Sequence, residues 1–111
     1  MLDQNHFSTL EEMMGNTLFK LVASYIASAD KLIVEISNAI EHNDAEKLMH
    51  SAHPLKSASR QIGANELGEM LETLEEAGKT GQLNGTDRLC NKAQEEYAAI
   101  KAELQAKMLP L

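Results

Sequence analysis

Apolar residues recur along most of this chain at the i, i+3, i+4, i+7 spacing that lines one face of an α-helix. The longest run is Leu18, Leu21, Val22, Tyr25, Ile26, Ala29, Leu32, Ile33, Ile36 and Ile40. Asn16 can cap this helix, and the polar triplet His42-Asn43-Asp44 breaks it. A second stripe follows Asp44 as cap: Leu48, Ala52, Leu55, Ser59 and Ile62, closed by Gly63. A third begins near Asn65, with Leu67, Met70, Leu71, Leu74 and Gly78 on one face. The stretch from Gly78 to Thr86 reads as a loop. The last helix starts near Thr86 and carries Leu89, Ala93, Tyr97, Ile100, Leu104 and Met108. A short helix is predicted ahead of these, from about Ser8 to Met14. Ser8 and Glu11 form its capping box and Gly15 ends it. Met13 and Met14 read as packing residues there.

Four long amphipathic helices joined by short loops bury their stripes most simply as an all-α, up-down antiparallel four-helix bundle. The short N-terminal helix is an extra element at one end or edge. The 111 residues suit a single domain, 1–111. Composition supports this reading. Hydrophobic residues make up 43% of the chain and aromatics only 4%, so Leu, Ile, Ala and Met must fill the core.

Charge narrows the function. Seventeen acidic against ten basic side chains give a net charge of −7, the wrong balance for a nucleic-acid binder. No run approaches the about 18 consecutive apolar residues of a membrane span. The N-terminus, MLDQNHFSTLEE, lacks the basic start and apolar run of a signal peptide. The lone cysteine, Cys90, sits in a periodic segment and reads as a small buried apolar residue. These features lead to the expectation of a cytoplasmic protein. Met1 and a full set of helices lead to that of a free-standing one, and a monomer is expected.

Candidate chemistry lies in residues 52–64, AHPLKSASRQIGA. With Leu48 at the centre of the core stripe, Leu55, Ser59 and Ile62 fall within about 40° of it. His53 falls about 140° away, Arg60 about 120° and Lys56 about 80°. The geometry turns His53 outward with two cations beside it. A neutral imidazole is a good nucleophile near neutral pH. If it takes a phosphoryl group it gains close to two negative charges. Lys56, one turn on, can stabilise that charge, and Arg60, two turns on, is a candidate phosphate or partner contact. Pro54 removes one helical hydrogen bond, to the carbonyl of residue 50, so a kink or a local break near residues 50–54 is expected.

His53, Leu55, Lys56, the small run Ser57-Ala58-Ser59, and then Ile62-Gly63-Ala64 together resemble the histidine-containing phosphotransfer (HPt) domains of two-component phosphorelays. Their pattern is histidine, any residue, leucine, lysine, a small-residue run, then an apolar residue and glycine. The resemblance implies a four-helix bundle with the histidine midway along one helix, and phosphoryl exchange with receiver-domain aspartates through phospho-His53. It also implies a role for Glu75 of the Leu74–Gly78 segment LEEAG, a residue that reads equally well as one more solvated glutamate among Glu66, Glu69, Glu72 and Glu76. An acidic or amide side chain at that position bonds the histidine Nδ1 and leaves Nε2 as nucleophile. Ser57 stands where the family most often has glycine, beside the partner. Ser57 and Gln61 are the expected partner-binding positions.

The implied partners are response-regulator receiver domains and a hybrid sensor histidine kinase, with no nucleic acid and no membrane. No cofactor or metal is expected in this chain; magnesium would sit in the partner receiver domain. Three other readings compete. A kinase dimerisation helix would have an acidic residue directly after the histidine and a proline five on, where this chain has Pro54 and Ala58. Autokinase activity is therefore not expected. A metal site built from His42, Glu46, His50 and His53 would have to project inward from several helices, and His53 faces outward. A non-phosphorylated adaptor that binds receiver domains is the remaining alternative.

Overall fold

The computed structural model describes residues 1–108. The last three residues, Pro110 among them, lie outside the described residues. Five α-helices follow one another: α1 Gln4–Met14, α2 Leu18–Glu41, α3 Ala45–Ile62, α4 Asn65–Thr80 and α5 Thr86–Lys107. One 3₁₀ turn, Gly15–Thr17, joins α1 to α2. Helices α2 to α5 pack in a ring, each against its chain neighbour and α2 against α5, which makes the expected antiparallel four-helix bundle. The molecule measures 45 × 20 × 19 Å. Among the described residues no helix is long and apolar enough to cross a membrane.

The stripes read from the sequence form the core. Leu18, Val22, Tyr25, Ala29, Ile33 and Ile36 of α2 are buried with Leu48, Ala52, Leu55 and Ile62 of α3. Leu67, Leu71 and Leu74 of α4 and Cys90, Ala93, Tyr97, Ile100 and Leu104 of α5 complete it. The buried Cys90 thiol is pushed up from its usual pKa by desolvation. The α3 boundaries fall where the sequence put them. Asp44 accepts from Lys47 N at 3.0 Å, and Gly63 ends the helix at φ 94°, a left-handed conformation that suits glycine.

Several boundaries differ. Helix α1 starts four residues before Ser8, because Asp3 caps it through His6 N at 3.1 Å. Ser8 is an exposed interior residue instead. The reason is burial: Leu2 and Phe7 enter the core, so the chain is anchored ahead of Ser8. Asn16 lies in the 3₁₀ turn and does not cap α2. Met14 packs against the core, whereas Met13 is 76% exposed. Helix α4 runs to Thr80 and ends at Gly81, so Gly78 lies on the helix face where the stripe put it, and the loop begins three residues later than expected. No break opens at Pro54, for α3 continues through it. His50 and Pro54 are both exposed, so solvent can satisfy the carbonyl that proline leaves without a partner.

Candidate functional site

Helix α3 presents His53 to solvent with its side chain 61% exposed. The outward angle comes from the same register that buries Leu48, Ala52, Leu55 and Ser59. Beneath, the Ser59 hydroxyl and the Tyr25 phenol are bonded at 2.9 Å, locking α3 to α2. Burial pushes the Tyr25 pKa up to about 12.

Helix α4 supplies the other half of the site. Glu75 is buried, and its Oε2 accepts from His53 Nδ1 at 2.6 Å. Its Oε1 accepts from Lys56 Nζ at 2.5 Å. Lys79, one turn on in α4, stands 3.8 Å from Oε2. Burial pushes the Glu75 carboxyl upward, but the hydrogen bonds from Lys56 and His53 outweigh it and hold the group below its usual pKa. An ionised carboxylate only accepts hydrogen bonds. The proton in this bond therefore belongs to Nδ1, and in the neutral form of the ring the lone pair is left on Nε2.

Glu75 reaches His53 because α4 lies close to α3. A Cβ placed on Gly78 would stand 2.7 Å from both the Ala45 carbonyl oxygen and the Met49 nitrogen. Only glycine admits backbone that near. Gly68, on the same side of α4, lies under Arg60, whose Cγ would be 2.7 Å from an added Cβ. Arg60 Nη2 in turn pairs with Glu72 at 3.3 Å. The structure thus brings His53, Lys56 and Glu75 together and turns Arg60 toward α4. Ser57 and Gln61 are exposed on α3. A notch of about 110 Å³ opens between α2 and α3, lined by Leu21, Ser24, Ser28, Ala58 and Gln61.

His50 is held apart from the cluster, with Nε2 3.7 Å from Glu46. His42 Nδ1 donates to the Asn38 carbonyl at 2.8 Å. Among the described residues no group of three or more His, Cys, Asp or Glu side chains is arranged to hold a metal ion. Two features escaped the sequence reading: the close approach of Gly78 to the α3 backbone, and the pairing of Lys56 with Glu75 across two helices. A glycine on the α4 stripe, i+3 from the acidic residue, was the available signal for the first.

Comparison with curated proteins gives no match. Among solved structures, the chain is similar to histidine-containing phosphotransfer protein B (HptB) from Pseudomonas aeruginosa PAO1. The TM-score is 0.90 at 24% identity, covering 96% of this chain and 92% of that one. This likeness establishes the shared bundle. The sequence model of the Hpt domain matches residues 20–106, which holds all four bundle helices but for their outermost residues. The chain therefore belongs to the Hpt family, the histidine phosphotransfer domains of phosphorelays.

Proposed function

We propose that this protein is a phosphorelay intermediate that carries a phosphoryl group on Nε2 of His53, taking it from one receiver-domain aspartate and giving it to another. The observation that carries the reading is an exposed imidazole whose Nδ1 is held by a buried carboxylate. In the forward step the Nε2 lone pair attacks the phosphorus of an aspartyl phosphate. The P–O bond breaks and the aspartate carboxylate leaves. The ring keeps its Nδ1 proton and becomes positively charged, and Glu75 balances that charge as it develops. The return step reverses this with a second receiver aspartate.

Lys56 and Arg60 are the cations nearest in register to the phosphoryl group. Ser57, Gln61 and the notch between α2 and α3 form the docking surface, with α1 at its rim. Magnesium belongs to the receiver, whose acidic pocket would hold it during transfer. A hybrid sensor kinase supplies the phosphoryl group upstream, and this chain does not phosphorylate itself. The reading is of a cytoplasmic monomer.

The test is incubation with a phosphorylated receiver domain, beside His53→Gln and His50→Gln variants. Acid-labile, base-stable label that disappears only in His53→Gln is the expected result. A folded protein that binds receivers but takes no label from any of them would make it a silent adaptor and overturn the proposal.

A further inference from the structure

Pro54 is a residue of α3 that neither the core nor the site has used. It is exposed, lies outside the core cluster and directly follows His53. Helix α3 nevertheless runs through it from Ala45 to Ile62. Proline has no N–H, so the carbonyl of His50, four residues back, receives no helical hydrogen bond from position 54. Side-chain donors nearby are turned elsewhere. His50 Nε2 faces Glu46 at 3.7 Å and Ser51 Oγ faces Glu35 at 3.5 Å, while His53 Nδ1 and Lys56 Nζ serve Glu75. The freed carbonyl points along the helix toward the Pro54 ring. It does so on the side of α3 where His50, His53, Pro54, Ser57 and Gln61 are all exposed. The His53 ring leaves the same side within one turn, about 5 Å along the axis.

A phosphoryl group in transfer lies between Nε2 and the carboxylate of the partner, so the partner must press against this side of α3. Docking then expels solvent from the His50 carbonyl. A carbonyl buried without a donor is costly, and one that meets a donor is not. We infer that the His50 carbonyl, freed by Pro54, accepts a hydrogen bond from an N–H or O–H of the docked receiver domain, so that Pro54 favours receivers with a donor at that point. The inference rests on the phosphocarrier reading for the identity of its partner. With any other residue at position 54, the backbone N–H would take up this carbonyl, and the discrimination would vanish.

Pro54→Ala and Pro54→Val both restore the N–H, and valine also keeps apolar bulk near that of the proline ring. Each is expected to weaken binding of a receiver domain that the wild type binds by about three- to tenfold, the scale of one hydrogen bond. Each is also expected to raise the Tm, because α3 regains a helical bond. Slow exchange of the residue-54 amide in both variants is expected, as the carbonyl is taken up. In transfer assays the loss should fall on the receiver concentration needed for half-maximal uptake and not on the rate at saturation. Binding restored in Pro54→Val would assign the contact to the ring and overturn the inference. Unchanged binding in both variants would also overturn it, as would a loss confined to the rate at saturation. The carrier reading survives each of those results. A wild type that binds receivers but takes label from none ends the carrier reading, and the receiver affinities of the two variants still decide the role of the carbonyl.

Discussion

Two seams of this bundle use the same three parts for opposite ends. Between α3 and α4, Glu75 is shared by the His53 ring and Lys56. Between α2 and α5, Asp30 is shared by the Tyr97 ring at 2.6 Å and Lys101 at 3.1 Å. In the first seam the acid is buried at 5% side-chain exposure and the ring lies in water at 61%. In the second the ring is buried, and the acid is 46% exposed. Burial first, then the neighbouring Asp30 carboxylate, raise the Tyr97 pKa, so its hydroxyl stays a neutral donor and a lock. The two triads differ in which member is desolvated: one buries the acid under an exposed imidazole, the other buries a phenol that ties two helices together.

The sharpest way to break the comparison is to change each ring. His53→Gln is expected to abolish phosphoryl uptake with little loss of stability, as its side chain is mostly exposed. Tyr97→Phe is expected to leave uptake unchanged. A phosphotransfer assay with both variants checks this, and loss of uptake in Tyr97→Phe would merge the two seams.

Next in size is the close approach behind the first seam. Gly78→Ala puts a methyl against the α3 backbone. It is expected to cost about 1–2 kcal/mol after the gain in helix propensity, and to loosen the Glu75 link to His53. Gly68→Ala meets only the Arg60 side chain and should change stability by no more than about 0.5 kcal/mol. Urea midpoints at constant slope separate them.

Tyr97→Phe removes one hydroxyl that donates to Asp30 at 2.6 Å and lies 3.3 Å from the Ile26 carbonyl. The expected loss is about 1 kcal/mol, read as a lower Tm. A loss near zero would mean that solvent replaces the tie.

The smallest effect is on the acid limb of stability. Glu75 titrates below its usual 4.5 in the folded protein. A carboxyl with a depressed folded pKa adds stability that is present above the unfolded value and is lost as pH falls through the folded one. Asp30 is lowered from 3.8, chiefly by the Tyr97 and Lys101 hydrogen bonds, with the same sign but more solvent screening. Denaturation followed from about pH 5 to pH 3 should therefore show a flatter acid limb in Glu75→Gln than in Asp30→Asn. The reverse order would contradict the assignment of the buried acid to the first seam.

The amino-acid sequence by itself determined the helices, their inward faces and the outward angle of His53. These depend on the 3.6-residue period and on local chemistry such as the Asp44 cap and the Gly63 stop, all within a few residues. The local run from His53 to Ala64 also carried the family. Tertiary structure alone decided the rest. Glu75 read equally well as one more surface glutamate, because its burial depends on how α4 slides along α3. That register is set by Gly78 against Ala45 and Met49, some thirty residues away in the chain. The engagement of Lys56, the docking of residues 1–7 and the Asp30–Tyr97 tie have the same origin. Each is a contact between helices, and no spacing along one helix encodes how another lies against it.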